Sequence, residues 1–157
     1  AGALASGCEV EIQWALGDYL EIKDCWPIAE RYKTNAESLG RSFFPLEKIP
    51  TTGAGSTDMG NVSHRVPSIH PMISCAPPHV VIHNPEFAKY AGSETGDAAV
   101  LDGAKALAMT AIDVMTDDQL MSDARDQFAE TADLSAKAVA QAWHGDGDVS
   151  LGGCGCC

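Results

Sequence analysis

The chain has 157 residues, a formal charge of −12 and a pI near 4.6, the size of one ordinary domain and long enough to bury a core. That acidic balance argues against nucleic acid and against membrane surfaces, which are held by a cationic footprint, and no apolar run approaches the roughly 20 residues of a membrane span. Six cysteines stand at 8, 25, 75, 154, 156 and 157, the first three far apart and the last three crowded into four residues, without the paired C-x-x-C arrangement that marks structural zinc, so the expectation is reduced thiols in a cytoplasmic protein rather than a disulfide scaffold.

In chain order, Ala1 to Ser6 reads as the end of a helix stopped by Gly7. It has neither the basic start nor the apolar middle of a signal peptide, and it opens as though mid-helix, as a fragment or a processed product would. Cys8, Val10, Ile12 and Trp14 alternate with Glu9, Glu11 and Gln13, the pattern of a strand with one wet face. Gly17-Asp18-Tyr19 follows as a linker. Pro27 suits a first helical turn. Ile28, Ala29, Tyr32, Ala36 and Leu39 then recur at helical spacing up to Gly40, which predicts a helix over 26–39. Ser42-Phe43-Phe44 is a candidate for a short buried strand. The chain is turn-rich from Pro45 to Gly60.

Strands are expected at 61–66 and 79–83, bounded by Pro67 and by Pro77-Pro78. From Val100 the helical period is the clearest in the chain: Val100, Leu101, Ala104, Leu107, Ala108, Ala111, Ile112 and Met115 share one face. Its alanines suggest burial against a sheet. Thr116 and Gln119 have capping-box spacing, so a further helix is expected from there toward Trp143. Residues 144–157 read as a disordered glycine-rich tail.

The stretch Gly55-Ser56-Thr57-Asp58-Met59-Gly60-Asn61-Val62-Ser63-His64-Arg65-Val66-Pro67 is suited to bringing backbone amides, hydroxyls and one carboxylate to a ligand. Val80-Val81-Ile82 then delivers His83 to the mouth of a loop. An imidazole presented beside an Asp-bearing loop is a way to begin a metal site; a surface or capping histidine is the plain alternative. Asp58 equally suits an Asx turn that closes its loop, and Gly55, Ser56 and Thr57 suit ordinary turn chemistry. His64, by alternation, shares a face with Val62 and Val66. A metal cluster of His64, His70 and His83 is disfavoured by its irregular spacing.

GSTDMGNVSHRVPSIHP, HNPEF and AKALAMTAIDVM together resemble the C-terminal part of the zinc-dependent amidohydrolases of the aminoacylase (M-twenty peptidase) family. The likeness runs over roughly residues 1–130 and is nearest the branch of p-aminobenzoyl-glutamate hydrolase and β-alanyl-dipeptidase-like enzymes. It implies an α/β fold with a mixed sheet and flanking helices. It also implies a division into 1–20, the last strand of a lid domain with its return linker, 21–143, the C-terminal part of the catalytic domain, and the tail 144–157.

The implied reaction is metal-assisted hydrolysis of small N-acyl amino acids or dipeptides. Two zinc ions, with manganese or cobalt as alternatives, would acidify a bridging water, and a Glu would act as general base. His83 matches a family metal ligand. Gly55, Ser56, Thr57 and Asp58 match the family's loop beside the substrate and metals. The remaining ligands and the catalytic Glu lie upstream in the family, so no catalytic residue is assigned here. A homodimer through the lid domain is a further implication. The competing reading is a non-catalytic truncated chain, or an interaction or folding module.

Overall fold

The computed structural model describes residues 1–11, 17–45 and 57–143. Among them the elements run α1 (Gly2–Ser6), α2 (Trp26–Ser38), α3 (Met59–Ser63), α4 (Pro85–Ala91), α5 (Glu94–Thr116), α6 (Asp118–Ala129) and α7 (Ala132–Gln141). Pro27 stands in the first turn of α2, where a missing N–H leaves no helical partner unsatisfied. The helix ends where Gly40 adopts φ 87° and the Arg41 N–H reaches back to the Ala36 carbonyl at 3.1 Å, a left-handed turn that suits glycine. At the corner between α4 and α5, a Cβ on Gly96 would overlap the carbonyl oxygens of Tyr90 and Ala91. Glycine there lets the two helices meet.

α5 is the axis of the molecule: α2, α4 and α6 all pack on it. The core between α2 and α5 is small. Tyr32, Ala36 and Ala106 are buried, with Leu39 and Ile69 packed against them, and the Tyr32 ring meets Phe43 edge-on at 6.4 Å between centroids. Polar bolts flank it. Asn35 Nδ2 donates to Thr110 Oγ1 at 3.1 Å and to Asp113 Oδ2 at 2.8 Å. Arg31 pairs with Asp117 at 2.8 Å and Asp113 at 3.5 Å, and Arg41 pairs with Asp102 at 2.8 Å.

The expected α/β fold with a mixed sheet is overturned. The described residues form helices and no sheet, and their only β-type pairings are two isolated bridges, Gly17 with Trp143 and Asp24 with Ser68. A strand leaves its backbone groups for neighbouring strands to satisfy, whereas the stretches expected as strands at 61–66 and 79–83 make local bonds instead. Over 61–66 the chain turns helically, and the Gly60 carbonyl accepts from the His64 N–H at 3.2 Å and the Ser63 hydroxyl at 2.7 Å. Over 79–83 the Val80 N–H turns back onto the Pro77 carbonyl at 2.9 Å. Residues 8–11 have no regular structure and Phe43 and Phe44 are exposed, not in a buried strand. The rest of the strand expected at 8–14 lies outside the described residues, as do most of the turn-rich loop and the tail.

The face expected to be buried on the long helix is also the wrong one. Gly96, Ala99, Ala106 and Thr110 are the buried residues of α5, whereas Val100, Leu101, Leu107, Ile112 and Met115 are 49–73% exposed. Asp102, Thr110 and Asp113 have charged or amide partners on the segment 31–41. Those bonds turn the small and polar side inward. The helix that follows is capped by Asp117 and not by Thr116: Asp117 Oδ1 accepts from the Leu120 N–H at 3.0 Å, while the Thr116 hydroxyl bonds back to Ile112. It breaks at Glu130-Thr131 before α7.

Candidate functional site

Among the described residues, the motif stretch from Thr57 to Ser68 is laid against the extended segment 18–25 by a dense set of bonds. Asn61 is bound at both ends of its amide: Oδ1 accepts from the Leu20 N–H at 3.1 Å and Nδ2 donates to the Asp18 carbonyl at 2.9 Å. The Ser63 hydroxyl, fully buried, accepts from the Lys23 N–H at 2.9 Å. The Cys25 N–H donates to the Ser68 carbonyl at 3.0 Å. Gly60 completes the seam, since a Cβ there would overlap the Leu20 carbonyl. Lys23 is itself held from beyond, its Nζ donating to the Phe128 carbonyl at 3.0 Å and Ser135 Oγ at 3.3 Å and lying 4.1 Å from the Phe128 ring centre.

At the front of this seam, Thr57 Oγ1 accepts from the Met59 N–H at 3.1 Å and lies 3.4 Å from His70 Nδ1. Asp58 stands at the start of α3 without capping it and is exposed. Gly55 and Ser56 lie outside the described residues. Among the described residues the side-chain turn here is a serine/threonine turn at Thr57, where the sequence allows an Asx turn at Asp58 as one of two readings. His64 is buried, not on a face shared with Val62 and Val66, which are 42% and 50% exposed. Among the described residues neither of its ring nitrogens has a hydrogen-bond partner; the exposed Glu21 carboxylate is 3.7 Å from Nε2.

His83 sits in the turn that leads into α4. Its backbone has φ 65°, the one non-glycine residue among those described with positive φ, and it is exposed. The turn is pinned beside it: Asn84 Oδ1 accepts from the Glu86 and Phe87 N–H groups at 2.8 and 3.0 Å, and its Nδ2 donates to the Val81 carbonyl. A histidine in the left-handed region costs about 1 kcal/mol or more, and this cap holds it there.

Zinc, the ion that the resemblance implies, needs about three protein ligands with an open position. Among the described residues no group of three or more His, Cys, Asp or Glu side chains is placed to hold a metal ion. They do not make up a zinc site, and His83 stands as a single imidazole. The buried Cys25 is no candidate nucleophile, because burial pushes its thiol above the ordinary value.

The residues that sequence reasoning missed are Gly60, Asn61 and Ser63, which seat the motif. The available signal was a glycine followed by two short hydrogen-bonding side chains two residues apart, a pattern that suits a turn docked on another backbone as well as it suits a strand.

No family model matches the chain. It does have relatives among proteins of established function. It is 38% identical over 128 residues to the Xaa-Arg dipeptidase of Homo sapiens, and 36% identical over 128 residues to the Xaa-Arg dipeptidase of Mus musculus. These matches take in 82% of this chain but 29% and 30% of the relatives. The chain is thus related to part of a peptidase. It spans about three tenths of the length of the dipeptidases it matches.

Proposed function

We propose that this chain is the part of a metal-dependent dipeptidase of the aminoacylase (M-twenty) type that carries one metal ligand, His83, and a loop beside the substrate, Thr57-Asp58 with Gly55 and Ser56. The observation that carries this reading is the identity of more than a third over 128 residues with proteins named Xaa-Arg dipeptidase. The strained, exposed and capped histidine supports it. A non-glycine residue held at positive φ points to a job that outweighs the strain, and a ligand whose partners lie elsewhere in the polypeptide is such a job. The substrates would be small dipeptides or N-acyl amino acids with a free carboxylate, Xaa-Arg dipeptides among them.

On this reading the present residues position and do not turn over. His83 offers a neutral imidazole nitrogen at a fixed turn. Thr57 and Asp58 offer a hydroxyl and a carboxylate on a loop whose base is bolted to 18–25. The ions, when bound, would supply an acidified water; the groups that complete their site lie outside the described residues.

Calorimetry with zinc, and hydrolysis assays on Xaa-Arg dipeptides, β-alanyl dipeptides and N-acyl amino acids, test this reading. The purified chain should bind zinc no better than a peptide with an exposed histidine and should show no turnover. Spliced into the human Xaa-Arg dipeptidase in place of the matching 128 residues, it should support hydrolysis that His83→Ala removes together with one equivalent of metal. Full metal content and turnover in that variant would overturn the assignment. Stoichiometric sub-micromolar zinc on the isolated chain, with hydrolysis that His83→Ala abolishes, would overturn the reading that these residues position and do not turn over.

A further inference from the structure

His70 is exposed, yet it is held from two directions. Just before it, the Ser68 carbonyl accepts the Cys25 N–H at 3.0 Å and Ile69 packs on the core between α2 and α5. Facing its ring, Thr57 Oγ1 lies 3.4 Å from Nδ1 and also accepts the Met59 N–H at 3.1 Å. A hydroxyl has one proton and two lone pairs. Met59 takes a lone pair, and among the described residues the acceptor within reach of the Thr57 proton is Nδ1. The arrangement that uses both the proton and the lone pair therefore has Thr57 donating to His70. That bond favours the neutral ring with its own proton on Nε2. The Nε2–H group, on an exposed ring, has no hydrogen-bond partner among the described residues. Beside it in the loop, Asp58 is exposed and its carboxylate caps nothing.

We propose that His70 is a specificity-determining residue whose Nε2–H donates to the free carboxylate of a dipeptide substrate, with Thr57 as the positioning residue that holds the ring in the donating tautomer. The inference rests on the dipeptidase reading and deepens it, naming the group that meets the acid end of the substrate. A donor gains more from a charged acceptor than from a neutral one, so a carboxylate is preferred over the amide that would replace it in a blocked dipeptide. Asp58 adds a second condition. Its charge disfavours a bare anion, but not a dipeptide that also carries an ammonium or a guanidinium group.

Two measurements test it. In the isolated chain at about pH 8, where an ordinary imidazole is neutral, the nitrogen NMR signals that His70→Leu removes should be those of a ring protonated on Nε2. Thr57→Val should move that tautomer ratio toward Nδ1. A ring already protonated on Nδ1, or a ratio that valine leaves unmoved, would overturn the inference. The second measurement uses the chain spliced into the human dipeptidase in place of the matching 128 residues. There His70→Leu should raise KM for Xaa-Arg dipeptides about tenfold or more, with kcat within about twofold of the parent. His70→Gln, which offers an amide N–H in place of Nε2–H, should restore KM to within about threefold. The C-terminal amides of the same dipeptides, added as competitive inhibitors, should bind the parent and His70→Leu alike. An unchanged KM in His70→Leu, a fall in kcat alone, or a glutamine no better than leucine would each overturn the inference while the dipeptidase reading stands. A parent splice with no turnover on any dipeptide would defeat that reading, and this inference with it.

Discussion

Gly60 touches the Leu20 carbonyl so closely that no side chain fits between them. The neighbour is backbone, and it is already fixed by the Leu20 N–H bond to Asn61, so it cannot yield cheaply. Gly60→Ala should therefore destabilise the chain by about 2–4 kcal/mol, read as a lower denaturant midpoint with an unchanged slope. An unaltered midpoint would mean that 57–68 does not lie on 18–25 as described.

Two alanines two residues apart on α5 should behave oppositely. Ala106 is fully buried, and a carboxylate there has no partner in the core, so Ala106→Glu should cost about 3 kcal/mol or more. Ala108 is exposed, and Ala108→Glu should stay within about 0.5 kcal/mol of the parent. Thermal melts of the pair decide which face is inside.

His83 is held at positive φ in an exposed turn. Glycine visits that region at no steric cost, so His83→Gly should raise stability by about 0.5–1 kcal/mol or leave it unchanged. His83→Val, β-branched and poorly suited to positive φ, should lower it by about 1 kcal/mol or more. If valine is tolerated as well as glycine, the turn is not strained and the support it lends to a ligand role falls.

Asp117 has its carboxyl held below the ordinary range, first by the Leu120 N–H and then by Arg31. A group whose folded pKa is depressed stabilises the fold above its unfolded value, near 4, and that contribution is lost as pH falls through the lower folded value. Melting midpoints of the parent should therefore fall from about pH 4 downward. Asp117→Asn should flatten that part of the profile and lower the plateau above it. A profile that Asn leaves unchanged would assign the acid sensitivity to other carboxylates.

What the sequence makes legible here is local. The helix at 26–38 follows from Pro27, the spacing of Tyr32 and Ala36, and Gly40, and α5 follows from its long helical period. What it does not make legible is which side of α5 faces inward. Hydrophobicity marks the side that most needs cover, but in this chain the helix is oriented by pairings with residues more than 60 positions away, such as Arg41 with Asp102. The alternation of Val62, His64 and Val66 looks like a strand for a related reason: period 2 in a stretch this short is also met by one helical turn that points polar groups at a neighbouring backbone. Of the candidate site, His83 is singled out by its type and motif, and Thr57 and Asp58 by their motif alone, and their roles stay with the proposal above. The seating of that motif on 18–25 depends on contacts about 40 residues apart, which no local pattern carries.

Cys25 lies under the join between the two segments, its N–H on Ser68 and its thiol buried, while Cys8 is open to solvent. The chain thereby contains its own clock. An alkylating reagent meets Cys8 at once, but it reaches Cys25 only as often as the segments part. The rate at Cys25 times the opening of the seam that seats the motif.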